Sequence, residues 1–241
     1  MNFAVDVGNS FAKIGIFDQN RLLKVYEQVQ IKKLPDLVNE IKPAHLIYSS
    51  VSLPADDFIR QINPDLEVLV LEHQTGLPIK NNYKSPETLG MDRLASAVAA
   101  SQLFTGEDVL VVDCGTCIKY DFVDKEGEYF GGAISPGLQM KIKSLHNYTA
   151  QLPLVQLRQQ PDLVGKTTKE SILSGVVNGT AAEINGIISK FKNQNAQITV
   201  LLSGGDAHFL SNQIDHKHQL EPFLPLKGLN YILMYNAEKM V

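Results

Sequence analysis

Apolar positions along the chain fall into short runs near its start and middle and into longer stripes between them. Phe3-Ala4-Val5 runs into Asp6-Val7-Gly8-Asn9-Ser10; Lys13 to Phe17 follows, then Asp18-Gln19-Asn20, then Leu22 to Val29. Short apolar runs bounded by turn residues predict strand, tight turn, strand, hairpin, strand. A shift of 107 positions lays Val5-Asp6-Val7-Gly8-Asn9 on Val112-Asp113-Cys114-Gly115-Thr116. The same order then recurs, with Ile118 to Val123, a turn at Asp124-Lys125-Glu126-Gly127, and Tyr129-Phe130. A third apolar run, Ile198 to Leu202, ends in Ser203-Gly204-Gly205-Asp206, and a helical pattern begins at Ala207. Helical stripes cover Leu34 to Ile41, Asp56 to Ile62, Asp92 to Phe104 and Thr168 to Lys192, while Leu46 to Val51 and Glu67 to Leu71 read as strands. The stripe of Ile172, Val176, Val177, Ala181, Ile184, Ile187 and Ile188 keeps the helical period long enough to predict a central helix.

Strands alternating with helices predict an α/β chain, and the repeat predicts a duplicated one. The expected division is a lobe over residues 1–90 and a similar lobe over 91–241, with the boundary within 85–105 and no low-complexity linker. Composition agrees: 241 residues, 44% of them hydrophobic, supply a sizeable core. A formal charge of -4, with no basic run longer than Lys32-Lys33, removes the electrostatic basis for binding nucleic acid. No stretch reaches the roughly 20 apolar residues of a membrane helix, and the first residues lead straight into a strand with no charged leader. A cytoplasmic protein with no membrane partner is expected, so the sequons at Asn147 and Asn178 carry no weight.

The chemistry concentrates at strand ends. Gly8 and Asn9 suit a tight turn and need no function for that. An acid inside a buried strand is different, because a desolvated carboxylate is costly unless it is paired or holds a cation. Asp6 and Asp113 recur at matching strand ends, which points to a cation shared between the lobes, and the glycine turns offer backbone N–H groups to phosphate oxygens. Lys13 reads alone as edge protection; beside a phosphate turn it reads as a phosphoryl contact. Asp92, in Gly90-Met91-Asp92-Arg93, is either a helix cap or a base beside an arginine clamp. The alanines that follow it predict close packing of that helix on a neighbour. Gly131-Gly132-Ala133-Ile134-Ser135-Pro136-Gly137 reads as a bare loop, and Ser203-Gly204-Gly205-Asp206 has the placement of a nucleotide contact. Cys114 and Cys117 form a CxxC followed by a strand-like run rather than a helix, which argues against a redox pair, and a zinc site lacks two further ligands. Neither GxxxxGK[ST] nor a GxGxxG after a strand is present.

Taken in order, Asp6-Val7-Gly8-Asn9-Ser10 with Lys13, Tyr83 ahead of Gly90-Met91-Asp92-Arg93, Asp113-Cys114-Gly115-Thr116, Gly131 to Gly137, Gly165-Lys166-Thr167-Thr168, Ser174-Gly175 and Ser203 to Asp206 resemble the type III pantothenate kinases. These belong to the acetate and sugar kinase, Hsc70 and actin superfamily, and the resemblance runs through nearly the whole chain. It implies a duplicated ribonuclease-H-like fold with mixed sheets flanked by helices. It also implies a homodimer with pantothenate at the subunit interface, and ATP-dependent phosphorylation of pantothenate to 4'-phosphopantothenate, the first step of coenzyme A biosynthesis. Under the resemblance Asp92 is the base. Tyr83, Gly90, Met91, Asp92, Arg93 and Thr168 hold pantothenate. Asp6, Val7, Gly8, Asn9, Ser10, Phe11, Ala12, Lys13 and Thr116 hold ATP, with Mg²⁺ near Asp6, and Asp113 binds a monovalent cation, K⁺ or NH₄⁺. A non-catalytic regulator on the same fold, or a kinase for another small alcohol, are the alternatives.

Three positions depart from the family pattern. Ser10 replaces a threonine and keeps its hydroxyl. Lys166 and Thr167 stand in place of arginine and asparagine. Lys119, three residues after Thr116, stands where threonine is common. An alternating strand sends Lys119 to solvent; in the other reading its ammonium partly replaces the monovalent cation.

Overall fold

The two matching segments of the sequence build one supersecondary order twice. The structure is a computed structural model that describes residues 1–9 and 11–237, so the expected ATP contact Ser10 lies outside the described residues. The described residues pack as two compact units: one holds residues 1–106, 124–130 and 223–237, the other residues 107–123 and 131–222.

In the first unit β1 (Asn2–Val7), β2 (Phe11–Asp18) and β3 (Arg21–Gln30) form an antiparallel meander. Helix α1 (Leu34–Ile41) returns the chain to β4 (His45–Ser50), parallel to β1, and α2 (Ala55–Ile59) leads to β5 (Val68–Val70), parallel to β4. The sheet order is β3-β2-β1-β4-β5. Strict alternation along β1 and β2 sends Phe3, Val5, Val7, Ala12, Ile14 and Ile16 into a core with Leu34, Val38 and Phe58, and puts Asp6 and Lys13 on the opposite face. A short β6 (Lys80–Asn81) and α3 (Met91–Leu103) complete the first part of this unit.

The later part of the chain repeats the plan with β7 (Val109–Cys114), β8 (Cys117–Val123) and β9 (Glu128–Pro136). Helices α4 (Leu138–Asn147) and α5 (Thr168–Gln194) precede β10 (Thr199–Ser203), which runs parallel to β7. The short α6 (Ala207–Ser211) leads to β11 (Gln219–Leu220), parallel to β10. The order β11-β10-β7-β8-β9 mirrors that of the first sheet. Leu110, Val112 and Cys114 of β7 share a core with Ile118 and Tyr120 of β8 and with Ile172, Val176, Val177, Ile184 and Ile188 of α5, the stripe read from the sequence.

The final helix α7 (Leu224–Ala237) packs back in the first unit, against α3. The small residues of α3 permit the close approach expected of them. A Cβ at Gly228 would stand 1.7 Å from the Ala95 carbonyl oxygen, so the two backbones touch where glycine faces alanine. Residues 131–137 do not form a loop, because β9 continues to Pro136 and Gly137 is the N-cap of α4. The glycines belong to a close-packed strand: a Cβ at Gly132 would fall 1.6 Å from the Tyr120 carbonyl oxygen, and Gly131 has φ +85°.

Candidate active site

In the first unit Asp6 is the last residue but one of β1, half-buried, with Lys13 directly opposite it on β2 and Ser49 opposite it on β4. Residues paired in this way share one face of the sheet, so Ser49, Asp6 and Lys13 form a row. The turn beyond it is tight: the Gly8 N–H donates to Phe11 O at 3.1 Å, and the Ser52 hydroxyl donates to Gly8 O at 2.7 Å. Val7 and Ala12 are buried on either side of the turn, whereas Asn9 and Phe11 are exposed at its tip.

The same unit assembles the start of α3. Gly90 is the N-cap and carries no capping side chain, so Asp92 sits inside the first turn rather than at its cap. Its carboxylate accepts from the Arg93 N–H at 2.9 Å, and a Cβ at Gly90 would come within 2.6 Å of Asp92 Oδ1. Glycine at 90 thus keeps the space in which that carboxylate lies. Arg93 is 5% exposed, and its guanidinium carbon stands 5.6 Å from the Tyr83 ring centroid, where the ring face attracts a cation. Tyr83 in turn stacks on Tyr129, centroids 6.2 Å apart. Four residues expected at one substrate, Tyr83, Gly90, Asp92 and Arg93, are therefore in one place, with Met91 half-buried between them.

In the second unit Asp113 is the last residue but one of β7, with Lys119 opposite it on β8 and Ser203 opposite it on β10. This row, Ser203-Asp113-Lys119, reproduces Ser49-Asp6-Lys13 strand for strand. The solvent orientation expected for Lys119 from strand alternation is wrong. Its ammonium lies 2.6 Å from Asp113 Oδ2, with the two side chains only 17% and 13% exposed. Alternation held, but the face of β8 opposite the core is itself covered, as buried Asp121 and Val123 on that face indicate. Gly204, at φ +90°, closes the other carboxylate oxygen: a Cβ there would be 2.4 Å from Asp113 Oδ1 and from Cys114 O. The Asp206 N–H donates to Cys114 O at 2.9 Å, and burial pushes the Asp206 carboxyl above its ordinary range. The Gly204-Gly205-Asp206 turn thus braces the end of β7. Thr116 is exposed in the β7–β8 turn, which Gly137 approaches so closely that its Cβ would meet Gly115 O at 2.1 Å.

Sequence reasoning missed a polar cluster beside these strands. Glu183 of α5 accepts from Tyr120 at 2.9 Å and Lys141 at 2.7 Å, and also from the Ser135 hydroxyl; Lys141 reaches Thr180 at 2.9 Å as well. Burial alone would raise the Glu183 carboxyl, but the hydrogen bonds from Lys141, Ser135 and Tyr120 outweigh it and hold the group below its ordinary range. No motif announces this cluster, since its members come from β8, β9, α4 and α5.

Thr168 is the exposed first residue of α5. The residue before it, Thr167, makes a capping box with Glu170, whose carboxylate also accepts from the Lys166 N–H at 2.8 Å. That departure from the family pattern thus caps a helix. Cys114 and Cys117 are free thiols on successive strands, and burial, with the charges of Asp113, Asp206 and Glu183, pushes the Cys114 thiol up. A thiol so disfavoured as thiolate is a poor nucleophile. Among the described residues no three His, Cys, Asp or Glu side chains gather as a metal cage. A single carboxylate such as Asp6 fits Mg²⁺ that is held mainly by nucleotide phosphates and water. Asp113 does not fit an added monovalent cation in the same way, because Lys119 already occupies one oxygen and Gly204 walls in the other. No helix among the described residues is long and apolar enough to cross a membrane.

Comparison with known proteins agrees with this architecture. A family model described as type III pantothenate kinase matches residues 2–190. A type III pantothenate kinase of Bacteroides fragilis is 41% identical over 239 residues, which cover 98% of this chain and 98% of that protein. Among solved structures, a Campylobacter jejuni protein described as a Baf family transcriptional activator superposes with a TM-score of 0.65 at 24% identity, covering 98% of this chain and 99% of that one. A ROK family glucokinase of Streptomyces griseus does so with a TM-score of 0.54 at 10% identity, covering 97% and 99%. Both structural likenesses speak for the fold, a duplicated ribonuclease-H-like, actin-like ATPase architecture. On the family model and on near-complete coverage at this level of identity, the chain belongs to the type III pantothenate kinases.

Proposed function

We propose that the protein transfers the γ-phosphoryl group of ATP to the primary hydroxyl of pantothenate, giving 4'-phosphopantothenate and ADP. The observation that carries this reading is the α3 start, where Asp92 lies over Gly90 with buried Arg93 and Tyr83 beside it. In the reaction the pantothenate hydroxyl oxygen forms a bond to the γ-phosphorus while the bond to the β,γ-bridging oxygen breaks. The hydroxyl proton passes to the Asp92 carboxylate, and ADP leaves. Phosphoryl transfer of this kind depends on positioning and charge neutralisation more than on covalent help. Arg93, fixed over Tyr83, supplies a rigid guanidinium that suits the pantothenate carboxylate, and Gly90, Met91 and Thr168 complete the acceptor site. Asp6 to Lys13, with Thr116, hold ATP, Lys13 offsetting phosphate charge. Mg²⁺ near Asp6 would neutralise the phosphate oxygens when bound. The working enzyme is a cytoplasmic homodimer, with pantothenate at the subunit interface.

Asp92→Asn tests the assignment. It is isosteric and keeps an acceptor for the Arg93 N–H, so pantothenate binding by calorimetry should survive while kcat falls by about 10²-fold or more. Unchanged kcat would remove Asp92 from the role of base.

A further inference from the structure

We propose that Lys119 is a tethered cation that takes the place of a free monovalent ion beside Asp113, so that this kinase works without K⁺ or NH₄⁺. The inference rests on the kinase reading above and names a property of that same site. Three observations carry it.

The first is occupancy. Lys119 Nζ lies 2.6 Å from Asp113 Oδ2, a charge-assisted contact between side chains that are 17% and 13% exposed. A free cation approaching that oxygen would have to displace an ammonium already there, and would strand it, largely buried, without its counter-charge. The second is enclosure. The other oxygen, Oδ1, faces Gly204, where no side chain fits, so the carboxylate is bounded on both sides by its own protein. The third is the internal repeat. Ser49-Asp6-Lys13 in one unit and Ser203-Asp113-Lys119 in the other occupy matching places in two sheets of the same order. Asp113 is thereby given a lysine at the position Lys13 holds opposite Asp6, and the register that sets a lysine across from a carboxylate is built into both hairpins. An alkylammonium offers three N–H donors and a compact positive charge, the chemistry of an ammonium ion, but delivered intramolecularly by a strand. Its effective concentration at Asp113 is fixed by the fold, where that of a free ion follows the medium.

The test uses the full chain at constant ionic strength in tetramethylammonium chloride, with K⁺ or NH₄⁺ exchanged in. Formation of ADP and phosphopantothenate by the wild type should vary less than about twofold between the salts. Lys119→Thr should lose at least tenfold activity in tetramethylammonium and regain most of it in K⁺ or NH₄⁺. A second readout needs no turnover. The thermal midpoint of ligand-free Lys119→Thr should rise with K⁺ relative to tetramethylammonium, and that of the wild type should not, because only the variant leaves a site for the ion to bind. A wild type inactive in tetramethylammonium and fully activated by K⁺ overturns the proposal, whether or not the variant folds. A folded Lys119→Thr as active as the wild type in tetramethylammonium overturns it too. Should the wild type make no product in any salt, the kinase reading fails, and the thermal comparison still decides whether Lys119 fills a cation site.

Discussion

Gly228→Ala is a small change with a large expected effect, because it acts on the seat of the helix that carries Asp92 and Arg93. The new methyl would lie 1.7 Å from Ala95 O and 2.4 Å from its carbonyl carbon, about 1.3 Å short of the 3.0 Å below which Cβ contacts are essentially never seen. The obstacle is backbone, so no rotamer change relieves it, and α3 and α7 must separate by an ångström or more. Overpacking of this kind costs typically 1–3 kcal/mol and occasionally more, while alanine gains up to about 1 kcal/mol over glycine as a helix former. With a rigid carbonyl in the way the upper end of that cost applies, leaving a net loss of about 2 kcal/mol, a large share of the 5–15 kcal/mol of a typical domain. Urea unfolding followed by circular dichroism should show the midpoint falling with an unchanged slope. The surviving folded enzyme should also lose activity, since displacing a catalytic constellation by about 1 Å can cost 10²-fold. Gly186→Ala on α5, where nothing lies within 4 Å of the new methyl, is the control and should gain about 0.5–1 kcal/mol. If Gly228→Ala were as stable as the wild type within 0.5 kcal/mol and fully active, the close α3–α7 contact would be refuted.

Other consequences can be checked separately. Glu183 is held below its ordinary range in the native state, so its ionised form contributes stability above the unfolded carboxylate value, about 4.3, and loses it as pH falls through the lower native value. Glu183→Gln should therefore be less stable than wild type by about 2 kcal/mol at pH 7, and the gap should shrink as pH drops past about 4; a pH-independent gap in denaturant titrations would contradict the charged network. Arg93→Lys keeps the charge but loses the planar group over Tyr83, and the KM for pantothenate should rise about tenfold. Cys114, buried with its thiol pushed up, should resist Ellman's reagent in the native state and react on unfolding; rapid labelling of both thiols in the folded protein would refute that placement.

Much of the fold was legible because its signals are local and repeated. The 107-residue shift exposed the duplication, and the stripe from Ile172 to Ile188 located α5. Helix α7 escaped because Leu224 to Asn236 is apolar nearly all round and carries Pro225 and Gly228, so no face stands out. Helix α4 does carry a stripe, Leu138, Ile142 and Leu145, but the glycines before it read as loop and obscured its start. Those glycines serve close strand approach, which depends on what lies across the sheet and is invisible in one segment. Tyr83 and Gly90 to Arg93, grouped by the family resemblance, lie close together in the first unit. The Asp113–Lys119 pair depended on register, where a slip of one residue sends a side chain to the other face, and on whether that face is covered. Glu183 and its partners are scattered over four elements and left no spacing to read.

Whether this chain is a working pantothenate kinase is decided by mass spectrometry of a reaction containing the purified protein, ATP, Mg²⁺ and pantothenate. The wild type should give pantothenate carrying one added phosphoryl group on its primary hydroxyl, matched by equimolar ADP, and folded Asp92→Asn almost none. Intact pantothenate and ATP after incubation with folded wild-type protein would contradict it.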